Sequence, residues 1–460
     1  TIPEGRLNQT ALRLIEEFVP RANEGANRYV ASPEINDDRN SFGSRVDFRL
    51  TDRHSLLGRF LLTKTDASSP ALIRPIGTTS KSTLTDYMGS HTFVLSQNAI
   101  NVARMSYNKI DAQPAVTSGL RNEDYGILVP NTNPLAQGLA NMLVSGFFTL
   151  GDANQPFVNR GNDVFQFVND VTWTRRTHTM KFGFDMRREH MFIAFINRPN
   201  GDYTFNGVHT GNAAADFLLG LPAQFRRTTT NQAQDGVGYL YAGYAQDEWR
   251  AATNLTVNAG LRYEVSQPFE DKNGALNAFH PGKQSTRFPD APAGLVYPGD
   301  PGIPDGTYAT DRNNFAPRLG VVWAPFGDGR TSVRAAWGVF YDALAGQGDF
   351  FQNGVLAPPS QPPVEATAPP VPLTLNDPLS VITGSGSRFP PGLIIIGWAE
   401  DFETPYAYHF NATVQRQIGD SMGAEIGYVG SRGRNLPIFI EVNPGIYQPG
   451  QTAPGARLFP

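Results

Sequence analysis

The chain has 460 residues, with 46 Gly, 36 Pro, no Cys, 17% charged residues and a net charge of −4. So slight an imbalance gives no electrostatic case for binding nucleic acid, and without Cys there is no disulfide framework. The longest apolar run, Leu393-Ile394-Ile395-Ile396, is far below the roughly 18 residues of a membrane-spanning helix.

Residues 1–40 read as a lead-in segment carrying one short amphipathic helix. Ala11, Leu14, Ile15 and Phe18 follow helical spacing, Asn8 is placed to cap, and Pro20 ends it. Residues 41–431 then repeat one unit: two strand-like runs, a tight turn, and a Gly/Pro-rich connection. In the first hairpin Ser44, Val46, Phe48 and Leu50 alternate with Gly43, Arg45, Asp47, Arg49 and Thr51, and Ser55 to Lys64 returns. The second runs from Tyr87 to Leu95 and back to about Ile110. The third runs from Val164 to Trp173 and returns through Met180, Phe182, Phe184 and Met186, opposite Lys181, Gly183, Asp185 and Arg187.

The fourth hairpin is the clearest. After Tyr239 to Trp249, Leu255, Val257, Ala259, Leu261, Tyr263 and Val265 fall on one face, and Thr256, Asn258, Gly260, Arg262 and Glu264 on the other. Eleven residues at roughly 3.3 Å each, tilted about 45°, rise close to 25 Å. That height matches the apolar band of an outer-membrane barrel, whereas a sandwich strand needs only about five or six residues. The fifth hairpin is Phe315 to Trp323 with Ser332 to Tyr341, and the sixth Tyr406 to Gln417 with Met422 to Val429. Residues 432–460 are a Pro/Gly-rich loop that stops before another strand.

Connections between hairpins are expected to run from about 20 to about 60 residues, against about 4 to 6 for ordinary ones. Short turns at one end and long loops at the other are the asymmetry of outer-membrane barrels. Trp173, Trp249 and Trp323 each end a first strand just before its short turn, as an interfacial belt would. A mean hydropathy of −0.31 agrees, because half of every barrel strand faces a polar lumen. The fold class is therefore all-β: a transmembrane antiparallel up-and-down barrel of about 12 to 14 strands, in the cell outer membrane.

Arg45, Asp47, Arg49, Arg59, Lys181, Asp185, Arg187, Arg262, Glu264, Arg318, Arg334 and Glu425 all lie opposite the apolar face. A charge on the lipid side near midplane costs about 2 to 4 kcal/mol, so these residues are expected to face the lumen. No catalytic set emerges. Glu189-His190 has no second His four residues on, Gly384-Ser385-Gly386-Ser387 is not a nucleophile elbow, and Gly327 to Ser332 lacks the Lys of a phosphate loop. The loop Asp300 to Asp311 has carboxylates for Ca²⁺ but no regular ligand spacing, which favours a solvated loop. Tyr203, Phe205 and Phe225, around an expected helix Ala213 to Leu219, are placed either to touch a ligand or to pack the loops together. No enzyme, cofactor or metal is expected.

Taken together, several segments resemble the TonB-dependent outer-membrane transporters, specifically the Oar-like subgroup. They are Ile2-Pro3 with Arg6-Leu7 and Pro20, Arg45-Val46-Asp47 with Leu50-Thr51-Asp52-Arg53-His54, Ala214-Ala215-Asp216-Phe217-Leu218-Leu219-Gly220, Tyr244-Ala245-Gln246-Asp247-Glu248-Trp249, Leu255 to Glu264, and Phe315-Ala316-Pro317-Arg318-Leu319-Gly320. The resemblance implies a 22-stranded barrel filled by a plug, a TonB box coupling plug movement to inner-membrane energy, and uptake of a bulky substrate. Neither plug nor TonB box is recognisable here, so the chain reads as a barrel piece of a longer protein. Its partners would be outer-membrane lipid, a plug and TonB. A passive porin or adhesin-like barrel, and a soluble secreted β-repeat protein that binds glycans, are the alternatives.

Overall fold

Period-two hydrophobicity gives ribbons with one oily side, and such ribbons become stable only by pairing edge to edge. The computed structural model describes residues 2–73, 75–116, 118–131, 137–152, 157–195, 198–228, 233–342, 363–382, 389, 397–438 and 440–441. The chain opens with α1 (Gln9–Phe18), then β1 (Asn36–Arg49), β2 (His54–Pro70), β3 (Gly77–Ser96) and β4 (Ala99–Val116). Next come β5 (Asn141–Val144), β6 (Phe148–Leu150), β7 (Phe157–Arg175), β8 (His178–Phe195), β9 (Asp202–Phe205), α2 (Ala213–Leu219) and β10 (Gln224–Thr228). The second half holds β11 (Gln234–Ala252), β12 (Leu255–Ser266), β13 (Glu270–Asp271), β14 (Ala278–Phe279), β15 (Leu295–Val296), β16 (Phe315–Trp323), β17 (Thr331–Tyr341), β18 (Pro363–Thr367), β19 (Tyr406–Ile418) and β20 (Met422–Arg434).

Twelve strands pair in the order β1-β2-β3-β4-β7-β8-β11-β12-β16-β17-β19-β20, every neighbour antiparallel. This is the up-and-down order expected of a barrel wall. One side of the wall is bare: Leu261, Leu319, Ile426 and Phe182 are 47%, 55%, 75% and 45% exposed. Among the described residues no second layer covers it, which removes the sandwich that a soluble β protein would need. Among the described residues no helix is long and apolar enough to cross a membrane.

The strands are longer than the alternation suggested. β3 has 20 residues and β7 and β11 have 19 each. The expected long connection after Lys64 is instead a continuation of β2 to Pro70 and of β3 from Gly77, which leaves only residues 71–76 between them. The added residues, such as Thr65, Asp66, Ser80 and Lys81, are polar on both faces. Outside hydrocarbon, a paired strand needs no oily side, so hydrophobic period is silent there.

The described parts of the remaining long connections are folded. Strands β18-β10-β9-β5-β6 form a second sheet, and α1 and α2 pack on it. Its core buries Leu14, Leu139, Met142, Tyr203, Phe205, Phe217 and Phe225 almost completely. Tyr203, Phe205 and Phe225 therefore pack the loops together. α1 starts where the Asn8 side chain accepts from the Ala11 amide (3.0 Å) and buries Ala11 and Leu14, its oily stripe. α2 is capped likewise by Asn212 and ends at Gly220, whose φ of 68° is left-handed. The lead-in thus docks at the long-loop end of the wall, on a cap with its own core. The apolar run Leu393 to Ile396 and the Gly384 to Ser387 loop lie outside the described residues.

Candidate functional site

Register decides which side chains share a face, because a paired residue points the same way as its partner. Arg45 is opposite Arg59, and Arg59 is opposite Met88. That row continues through Ser106 and Gln166 to Arg187. Asp185 is opposite Ala242, which is opposite Glu264. Gly260 is opposite Arg318, Val322 opposite Arg334, and Gln415 opposite Glu425. All twelve charged residues singled out in the sequence fall on one face, spread over seven strands.

On that face the charges are linked both along and across strands. Asp47 holds Arg45 at 2.7 Å, and Asp52 holds Arg49 at 2.8 Å, both in the open. Asp86 accepts from Arg59 (2.9 Å) and from Asn108 (2.7 Å). Asp170 pairs with Arg104 and accepts the Tyr244 hydroxyl at 2.7 Å. Glu264 and Asp185 hold Arg262 at 2.7 and 3.4 Å, and Gln166 donates to Asp185 at 2.9 Å. Arg318 lies 4.4 Å above the Phe340 ring, and Gln415 donates to Glu425. Lys181, Arg187 and Arg334 make no ion pair among the described residues, and the buried Arg187 Nε has no hydrogen-bond partner.

Sequence reading missed Asp86, Arg104, Asn108, Asp170 and Tyr244. Asp86 fell outside the expected strand start at Tyr87. Only the register brings Asp170 to Arg104 and Tyr244. The fit there is close: a Cβ on Gly183 would come within 2.1 Å of the Tyr244 ring, so the glycine makes room for the tyrosine. The long-loop end of this face is covered. Met191, Ile193, Leu240 and Ala242 are buried, and Phe269 lies over Gly238.

The opposite, apolar face has aromatic rings at both ends. Near the short turns stand Trp173, Trp249 and Trp323, each roughly two-fifths exposed. His178 stacks on Trp249 with centroids 5.7 Å apart and bonds Asp247 at 2.6 Å. At the long-loop end a second row appears: Phe60 with Tyr87 (5.0 Å), Tyr107 opposite Phe165, Tyr263 with Phe315 (4.8 Å), and Tyr341 with Tyr406 (5.3 Å). Beyond those rings charge returns, with His190 between Asp163 and Asp235, 2.6 Å from each.

In the long connections, carboxylates serve the fold. Burial acts to raise the Asp300 carboxyl, but the amides of Arg287, Tyr297 and Thr286 and the Ser285 hydroxyl outweigh it and hold it down at about 2. Burial pushes Asp152 up, although Ser118 and the Leu139 amide bond it. Asp311 accepts from the Thr404 amide (2.8 Å). Among the described residues no group of three acidic, His or Cys side chains is placed to hold a metal ion.

The sequence profile of the outer membrane beta barrel domain matches residues 1–459. No curated protein matches the chain. Among solved structures it is similar to the outer membrane transporter YddB of Escherichia coli, with TM-score 0.50 and 12% identity, covering 89% of this chain and 41% of that one. It is also similar to the closed form of the ferric-catecholate import receptor Fiu of E. coli K12 (0.44, 11%, 86% and 51%). The alcaligin outer membrane receptor FauA of Bordetella pertussis gives 0.43 and 10%, with 92% and 47% covered. At these identities the likeness concerns the fold alone. The chain spans about half the length of these proteins or less.

Proposed function

The chain belongs to the outer membrane beta barrel domain family, and we propose that it forms part of the barrel wall of a TonB-dependent receptor that imports a bulky substrate. It resides in the outer membrane of a Gram-negative-type bacterium. The observation that carries the reading is the two-sided wall: linked and free charges on one face, bare hydrocarbon side chains on the other. In this reading Arg45, Asp47, Arg49, Arg59, Lys181, Asp185, Arg187, Arg262, Glu264, Arg318, Arg334 and Glu425 face the lumen. Trp173, Trp249 and Trp323 form the belt on the short-turn side. Lys181, Arg187 and Arg334, which have no carboxylate partner among the described residues, are left for a plug or for passing substrate.

Residues 1–40 then hold a lead-in that ends in the first residues of β1, 41–431 the spanning hairpins with their loops, and 432–460 the last residues of β20 and a further loop. Among the described residues β1 and β20 each pair with one neighbour, which supports an incomplete wall, because unpaired backbone groups in lipid cost several kcal/mol each. The wall does no covalent chemistry in this reading; it holds and passes.

The test uses the full reading frame that carries this chain. Retention of the purified protein by the periplasmic domain of TonB supports an energised importer. No retention, together with steady conductance in planar bilayers, would put a passive porin in its place.

A further inference from the structure

The apolar face is not uniformly filled. Along the row Val46, Gly58, Gly89, Met105, Phe167, the register sets two glycines side by side on β2 and β3. Phe60 and Tyr87 rise on one side of them, Leu56 and His91 on the other. The result is a trough in two adjoining parts of 510 and 500 Å³. A Cβ on either glycine would meet nothing within 4 Å, so neither glycine is needed for close backbone approach.

Toward the long loops the same strands carry cations. Lys64 on β2 is exposed and makes no ion pair among the described residues. Lys109 on β4 shares Asp111 at 2.9 Å. Between them stand Thr83, opposite Lys64, and Thr85, opposite Lys109, both with hydroxyls on this face. Lys64 lies six residues from Gly58, roughly 20 Å along the strand and about 14 Å along the membrane normal at a 45° tilt. Half of a bilayer's hydrocarbon core is about 15 Å. When the lysines sit at headgroup level, the glycine trough therefore sits near the end of a lipid chain.

We propose that the outward face of β2, β3 and β4 holds one lipid with a phosphorylated headgroup, from the leaflet on the long-loop side. Lys64, Lys109, Thr83 and Thr85 take the phosphate, and the trough over Gly58 and Gly89 takes an acyl chain. Charge complementarity fixes the headgroup class: the unpaired Lys64 ammonium lies above rings and hydrocarbon, where an ammonium gains most from a phosphate. The proposal rests on the reading that the apolar face meets lipid.

The full chain, cleared of lipid in a neutral detergent, is titrated with phosphatidylglycerol, phosphatidylcholine and glycerol phosphate, and bound lipid is read by native mass spectrometry. Phosphatidylglycerol is expected to bind more tightly than phosphatidylcholine by about fivefold per lysine, and glycerol phosphate not to bind. Lys64→Gln with Lys109→Gln erases the difference between the two lipids. Gly58→Leu with Gly89→Leu, which fit the open space, weakens both, while Ala335→Leu elsewhere on the apolar face changes neither. Variants that hold both lipids as the parent does would overturn the site while leaving the facing intact. A parent that holds no lipid and stays dispersed without detergent would overturn the facing itself.

Discussion

Asn8 and Asn376 are 368 positions apart, yet the Asn8 Nδ2 donates to Asn376 Oδ1 over 2.7 Å. Asn376 in turn donates to Thr10 Oγ1 (2.8 Å) and to the Gly126 carbonyl (2.9 Å), while the Asn8 amide donates to the Leu218 carbonyl. One amide pair therefore ties the lead-in to three separate parts of the cap. Asn376→Ala is expected to free the lead-in at a cost of about 1 kcal/mol, a roughly fivefold rise in its open population. Trypsin should then cut sooner after Arg13 and Arg21, with the strands still protected. Unchanged cutting there would show that the pair does not hold the lead-in down.

Facing is tested by neighbours on opposite sides of β8. Phe182→Arg puts a charge on the apolar face and should cost about 2 to 4 kcal/mol when the chain folds into vesicles. Lys181→Leu, with no ion pair to break, should cost far less. The pair Leu261 and Arg262 is a harsher comparison, because removing Arg262 also strips Glu264 and Asp185 of their cation. A larger loss for Lys181→Leu than for Phe182→Arg would invert the wall.

Cap and wall should lose structure separately. Phe217 is fully buried, edge-on to Phe148 and Phe205 at 5.5 and 5.1 Å. Phe217→Ala is expected to cost the cap about 3 to 5 kcal/mol. Amide exchange should quicken over residues 200–228 while β7 and β8 keep their protection. Uniform quickening would mean that the two fold as one unit.

Acid should loosen one loop before the rest. The Asp300 carboxyl sits at about 2, below its ordinary value, because backbone amides bond the charged form. Its contribution is complete above an ordinary carboxylate value of about 4 and is lost as pH falls through about 2. Exchange over residues 285–300 should rise across that window in the parent and be raised but pH-flat in Asp300→Asn. The same acid response in both chains would assign it to another group.

Gly183 makes room for Tyr244. Gly183→Val is expected to push the ring off Asp170 and cost about 1 to 3 kcal/mol, read as a lower melting temperature in detergent. Gly243→Ala on the neighbouring strand, where a Cβ comes no closer than 3.9 Å, should cost much less.

The sequence disclosed what lipid demands. Val257, Leu261 and Tyr263 alternate with Asn258, Arg262 and Glu264 because the two sides of β12 meet different solvents, and every hairpin turn is found where that pattern breaks. The cap at Asn8 was legible because a helix start needs an acceptor at a fixed place. Thr78 to Ser82 were not legible as strand, since beyond hydrocarbon both faces are polar. Asp86 meets Arg59 and Asn108, and Asp170 meets Arg104, only through pairing register between strands. The cap core was hidden for a similar reason: Leu14, Met142, Phe217 and Leu375 come from four distant segments, and none carries a period that points to the others.

Because the lead-in shares one packed core with loop segments that lie far apart in sequence, a cell's surroundings meet a shaped knob of protein there. Sera raised against the native bacterium should contain antibodies whose epitopes join residues near 10, 126, 218 and 376. Such antibodies would stain whole cells and fall silent on a denaturing blot.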